Sequence, residues 1–212
     1  MKPELKDREV RTFELDEKSF ETREDGTRRI VGHAAVFNQW SEDLGGFREQ
    51  IAPGAFADAI SAEDVRALFN HDTNQVLGRN VSKTLTLLED QRGLLSEIIL
   101  PETQLARDLE VLMKRGDINQ MSFAFSIDKD GQDWEKTDDG PWERTITKVS
   151  RLFDVSVVTF PAYPQTDAAV RAMNEIKAAM EHAEQGARGL TTQTAGAVLK
   201  QTARLRMIQA GL

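Results

Sequence analysis

The chain has 212 residues, with 35 acidic and 27 basic side chains, a formal net charge of −8, three histidines and no cysteine. That length accommodates one medium domain and a tail; a domain of about 150 residues buries roughly 68–70% of its unfolded surface, so a core forms without cross-links. Lack of cysteine excludes a disulfide framework, a thiolate nucleophile and a thiolate zinc site, and the acidic balance argues against a nucleic-acid partner, which is usually met by a basic face. The charged opening MKPELKDREVRTFELDEKSF lacks the apolar stretch of a secretory signal, and no apolar run approaches the ~20 residues of a spanning helix. A soluble cytosolic protein that meets neither membrane nor nucleic acid is expected.

The first two-thirds reads as β-rich. Val10 to Leu15 alternates weakly, and Arg28 to Phe37 is a stronger strand preceded by the turn signal Glu24-Asp25-Gly26. A loop bending at Gly45-Gly46 follows. In IAPGAFADAI, Pro53 suits a first helical turn, and a short helix through Ile60 is predicted. Val65 to Asn70 reads as a buried strand, and LGRNVSKTLTLLEDQRGLLSEIIL as a hairpin turning near Gln91-Arg92-Gly93. Pro101 opens a predicted helix in which Leu105, Leu109 and Leu112 recur at helical spacing, with Gly116 as its stop. Met121 to Ile127 is a strand; the polar DKDGQDWEKTDDGPWE is a hairpin tip or mobile loop. WERTITKV and RLFDVSVVTF are two more strands, and Pro161 and Pro164 end the sheet region.

Beyond Thr166 the composition shifts. DAAVRAMNEIKAAMEHAEQ is helical by propensity, GARGLTTQTAG is a breaker-rich linker, and AVLKQTARLRMIQAGL reads as a last amphipathic helix. The boundary falls near residue 168, giving a body over 1–168 and a helical extension over 169–212. Strands separated by short turns, interrupted by one helix, suit a β-rich α+β fold. Its expected form is a small closed or partly closed antiparallel barrel flanked by a few helices.

Three residues concentrate the chemistry. Without a thiol, a hydroxyl activated by an imidazole is the leading route to covalent chemistry, because a hydroxyl needs a base and imidazole titrates in the useful range. Along Met121 to Ile127, Met121, Phe123 and Phe125 form an apolar face, while Ser122, Ala124 and Ser126 form a small polar one. That second face suits a nucleophile at Ser122; an ordinary strand with serines toward water has the same pattern. His71 ends an apolar strand, from which it can reach a neighbour as a base or serve as a satisfied polar residue. Asp72, next to it on extended chain, diverges from the ring. Asp154 lies inside the nearly continuous apolar run RLFDVSVVTF, where a carboxylate is costly unless paired. A buried histidine is its natural partner, since a carboxylate fixes the ring's tautomer; capping a bulge, or meeting Arg151 or Arg79, is the alternative. His33 reads as structural and His182 as exposed. There is no HExxH, phosphate loop or dinucleotide fingerprint, and neither cofactor nor metal is expected.

In order along the chain, IVGHAAVFNQW, FREQIAPGAF, VRALFNHDTNQVLGR, TLTLLEDQRGLLSEIILP, GDINQMSFAF and RLFDVSVVTFPAYPQTDAAVR closely resemble the prohead maturation proteases of tailed bacteriophages, over roughly Arg28 to Arg171. The resemblance implies a serine endopeptidase related in fold to the herpesvirus assemblins, with His71 as general base and Ser122 as nucleophile. Assemblins have a second histidine as third member; this chain offers Asp154 in the matching late strand. Backbone N–H groups near Arg151 or Arg79 are the candidates for an oxyanion hole. The implied partners are a scaffold protein or the major capsid protein precursor, and the chain itself, through autocleavage and homo-oligomerisation. The implied setting is the interior of the immature capsid in the host bacterial cytoplasm, with the tail after Gly186 a targeting or self-cleaved element. A catalytically silent barrel serving as internal scaffold or capsid-binding adaptor is the rival reading, and a purely structural capsid component a weaker one.

Overall fold

The computed structural model describes residues 8–15, 19–137, 140–161, 173–180 and, by backbone alone, 204–206. In chain order the strands are β1 (Glu9–Glu14), β2 (Phe20–Thr22), β3 (Arg28–Val36), β4 (Phe47–Ile51), β5 (Arg66–Phe69), β6 (Asp72–Arg79), β7 (Leu85–Glu89), β8 (Gly93–Ile99), β9 (Gln120–Ser126), β10 (Gln132–Lys136), β11 (Trp142–Ile146), β12 (Arg151–Val158) and β13 (Arg204–Arg206). Helix α1 (Ala57–Ala62) joins β4 to β5, and α2 (Gln104–Arg115) joins β8 to β9. They form three sheets: β1-β9-β12-β5-β6, β2-β3-β8-β7 and β13-β10-β11-β4. Pairing is mostly antiparallel, but β12 with β5 and β11 with β4 are parallel. Among the described residues these ladders make separate sheets, and no run of pairings closes into a ring. β-rich, with few helices, is therefore the architecture observed.

Local chemistry explains where the elements start and stop. The short helix begins at Ala57 rather than at Pro53, because Gly54 at φ 87° turns the chain out of helical conformation first. Thr103 caps α2, its side chain accepting the Ala106 N–H, so Pro101 lies just outside the helix. Gly116 ends it at φ 80°, the left-handed conformation that favours glycine. The polar segment expected as a hairpin tip or mobile loop contributes β10, which pairs antiparallel with β11 and is anchored by Trp134 at 2% exposure. At 204–206, inside the expected last helix, the backbone is a strand added to β10. An edge strand offers unpaired N–H and C=O groups, and pairing with them overrides weak helical propensity.

The main core lies between the β1-containing and β3-containing sheets. Phe123 is at its centre, stacked on Phe125 at 4.7 Å and meeting Phe56 edge-on at 5.3 Å. A second cluster joins Leu44, Phe47, Trp134 and Trp142 to Met173 and Ile176 of the helical segment 173–180. Apolar spacing of three along that segment is what lets one face of it dock.

Candidate active site

Two features of sheet geometry assemble the site. One is a two-residue hairpin. Phe69 of β5 pairs with Asp72 of β6, leaving Asn70 and His71 as the connection, and their φ values are 54° and 56°. Positive φ at both central residues is the type I′ signature, whose twist matches the flanking strands, and asparagine tolerates that region well. Asn70 is pinned three ways. Its backbone N–H donates to the Val157 carbonyl at 2.9 Å, its amide donates to Thr159 Oγ1 at 3.1 Å, and its Oδ1 accepts the Thr159 N–H at 2.8 Å. The turn that carries His71 is thereby clipped to the end of β12.

The other feature is a bulge. Between Leu152 and Asp154 the register of β12 on β9 slips by one, so Leu152 opposes Phe125 while Asp154 opposes Ala124. Opposed residues share a face. Leu152, Val155 and Val157 thus join Phe125, Phe123 and Met121 on the core side, and Asp154 and Ser156 join Ala124 and Ser122 on the other. A regular strand would have put Asp154 on the core side with Leu152. Phe153, the extra residue, moves the carboxylate to the serine's face.

There, His71 Nδ1 lies 2.5 Å from Asp154 Oδ1, and His71 Nε2 lies 2.8 Å from Ser122 Oγ. Asp154 has two further donors: the Ser156 hydroxyl on Oδ1 at 2.7 Å and Arg8 Nη2 on Oδ2 at 2.9 Å. Burial opposes its ionisation. The hydrogen bond and charge of His71, the Ser156 hydroxyl and the Arg8 charge outweigh that, holding the carboxyl below its ordinary value. An ionised Asp154 takes the proton on Nδ1 as donor, which leaves Nε2 of a neutral ring as the acceptor facing Ser122. Ser122 is 0% exposed, whereas the His71 side chain keeps 16%.

Ser122 Oγ also lies 2.8 Å from the Arg11 carbonyl of β1. A hydroxyl has one proton, so these two acceptors compete for it. Against a neutral ring the proton goes to Nε2; against a doubly protonated ring, Nε2–H donates to Oγ and the hydroxyl turns to Arg11. Two residues before Ser122 and on the same face, Gln120 holds a buried Oε1 with no hydrogen-bond partner among the described residues.

Behind the site, β1 turns its other face to a buried quartet. Arg144 grips Glu9 with two hydrogen bonds, at 2.7 and 2.8 Å, and reaches Glu49 at 3.1 Å. Arg11 bonds both oxygens of Glu49, at 2.5 and 2.9 Å, and Glu9 at 2.8 Å. All four are at most 7% exposed. Burial works against the Glu9 carboxylate, but Arg144 and Arg11 hold it below its ordinary value.

The three residues singled out in the sequence thus meet. Ser122 and Ala124 are both fully buried, so the reading of that face as solvent-facing does not hold. The arginines weighed as partners of Asp154 go elsewhere, Arg151 to Glu63 and Arg79 to Asp64. The backbone N–H of Arg79 is also committed, to Thr84 Oγ1 at 2.9 Å, which removes it as an oxyanion donor. His33 bonds Asp90 at 2.9 Å on the surface, and His182 lies outside the described residues. Among those residues no cluster of three or more metal-ligating side chains occurs. Arg8, Ser156, Asn70 and Gln120 had no signal in the sequence: each is an ordinary polar residue whose role comes only from register.

In chemical terms the site is a carboxylate–imidazole–hydroxyl relay on a sheet face. The sequence model of the caudovirus prohead serine proteases matches residues 13–182, and the chain belongs to that family. The prohead protease of Enterobacteria phage HK97 is 33% identical over 171 residues, covering 79% of this chain and 70% of that one. Among solved structures, the capsid assembly protease of bacteriophage T4 aligns with a TM-score of 0.47 at 11% identity, over 72% of this chain and 97% of that one.

Proposed function

We propose that the chain is a serine endopeptidase of phage capsid maturation in which Ser122 is the nucleophile, His71 the general base and Asp154 the group that orients it. The observation that carries this is the unbroken line of contacts from Asp154 through both ring nitrogens to the Ser122 hydroxyl. Ser122 Oγ attacks the scissile carbonyl carbon as its proton passes to His71 Nε2. The imidazolium, stabilised by Asp154, then protonates the departing amine, leaving an acyl-enzyme. Water repeats the sequence in reverse order: His71 takes its proton, the hydroxide adds to the ester, and Ser122 regains its own.

The substrates proposed are scaffold protein or the scaffold-like segment of the major capsid protein, together with the chain itself. The setting proposed is the immature capsid, with residues 169–212 acting as an extension to the body. The test is Ser122→Ala. In a comparable relay, loss of the serine costs on the order of 10⁶ in turnover. The variant should therefore leave the capsid protein precursor uncut and fail to react with a fluorophosphonate, while melting like wild type. A Ser122→Ala chain that still cuts the precursor would overturn the assignment and favour a silent adaptor whose contaminant does the cutting, or another nucleophile.

A further inference from the structure

The carboxylate of a relay is useful only if one oxygen stays aimed at the ring. Asp154 has two oxygens, and something must hold the second. The groups facing the Asp154–His71 pair are few. From β12 and β9 come the hydroxyls of Ser156 and Ser122. From β5 comes Arg66, in register with Asp154, but its guanidinium is taken by the Asp64 carbonyl at 2.7 Å and carboxylate at 3.1 Å. From the turn comes Asp72, whose carboxylate accepts from Asn74 and Gln75. Arg151 pairs with Glu63. From β1, Glu9 and Arg11 point to the opposite face, into the quartet. That leaves Arg8, immediately before β1, whose Nη2 lies 2.9 Å from Asp154 Oδ2.

We propose that Arg8 is a positioning residue of the peptidase: by holding Oδ2 of Asp154 it fixes Oδ1 on His71 and completes the relay from the N-terminal strand. The inference rests on the Ser122–His71–Asp154 reading. Ser156 and His71 share Oδ1, so without Arg8 nothing holds Oδ2, and the carboxylate plane can twist about its Cβ–Cγ bond and swing Oδ1 out of line with Nδ1. Arg8 also places a fixed positive charge beside the pair, three-quarters shielded from solvent. Its removal makes it easier for the ring and carboxylate to keep an extra proton, and a ring holding that proton cannot act as base.

The experiment is the rate of covalent labelling by a fluorophosphonate across pH, using the full chain and the variants Arg8→Ala and Arg8→Lys. This probe needs no knowledge of the natural substrate. Arg8→Ala should move the acid limb of the profile up by roughly half to one pH unit, with labelling at about pH 6 falling three- to tenfold as a consequence of that shift. Arg8→Lys, which keeps the charge, should restore the position of the limb. Circular dichroism and thermal melting confirm that both variants are folded. An unmoved acid limb in Arg8→Ala, whether at full or uniformly lowered rate, overturns the proposal while leaving the relay standing. Failure of the wild-type chain to label at Ser122 overturns the relay itself, so the two failures are told apart.

Discussion

Two buried polar clusters lie back to back across β1 and β9, and they differ in whether their protons have fixed homes. In the quartet of Glu9, Arg11, Glu49 and Arg144, two positive charges meet two negative ones, and every contact runs from a permanent donor to a permanent acceptor. In the relay, the Ser122 hydroxyl has one proton and two acceptors, His71 Nε2 and the Arg11 carbonyl. The first arrangement has a single ground state. The second has two that differ only in where protons sit, and a site that trades protons needs that property. Burial alone marks neither cluster as functional: a fully neutralised buried network is a structural tie, often no better than a well-packed apolar one.

Substitutions separate the clusters by which observable moves. The largest effect belongs to the relay. Asp154→Asn keeps the shape of the side chain but sets the wrong tautomer on His71, and the rate of precursor cleavage or fluorophosphonate labelling should fall about 10⁴-fold, by analogy with the serine-protease relay, with circular dichroism showing the chain still folded. A variant within tenfold of wild type would mean that the ring does not depend on Asp154. In the quartet the sign of the comparison reverses. Arg144→Ala leaves two buried carboxylates, Glu9 and Glu49, to share Arg11 alone and should cost about 3–5 kcal/mol in urea unfolding. At temperatures where the variant remains folded its labelling rate should stay near wild type, and a stability loss below about 1 kcal/mol would show the quartet to be slack.

The smallest effect is in acid. Asp154 and Glu9 both titrate lower in the folded chain than their ordinary values of 3.8 and 4.5, so the unfolded chain takes up protons first as pH falls. The stability they contribute is complete above the ordinary values and is lost as pH drops through the lowered ones. Urea midpoints should be flat from about pH 7 to 5 and decline below about pH 4. In Glu9→Gln the decline should be shallower, since the titration of Glu9 no longer contributes to it. A midpoint independent of pH down to about 2 would contradict the pairing of both carboxylates.

The sequence displayed the three candidate site residues because each breaks a pattern. Asp154 interrupts an apolar run, His71 ends one, and Ser122 sits on the small face of a strand whose other face is aromatic. It also displayed most strands, since alternation and turn residues are local signals. What it did not display depends on register. That Asp154 lies on the serine's side rests on a one-residue slip at Phe153, and nothing in RLFDVSVV distinguishes a bulged strand from a regular one. The hairpin at Asn70–His71 lacks the glycine that usually announces such a turn, so the sequence shows a strand stopping there but not the tight turn that carries His71. The quartet is drawn from β1, β4 and β11, each with alternation too weak or too polar to suggest burial, and the two parallel pairings joined strands that are distant in sequence. The strand at 204–206 lies in a stretch of helical spacing, and its partner, β10, in a segment whose polarity reads as a hairpin tip or loop.

The members of this site are gathered from distant parts of the chain: Arg8 and Asp154 are 146 positions apart, His71 and Asp154 83, and His71 and Ser122 51. β12 is the central strand on which the others converge, flanked by β9 and β5, and it is the last of that sheet to be synthesised. A nascent polypeptide still held in the ribosome at β11 has a serine and a histidine but no carboxylate and no rail to align them. Long-range pairing of this kind is also slow to form. The order of translation therefore leaves this constellation unassembled until nearly the whole body has emerged, a delay that follows from topology alone.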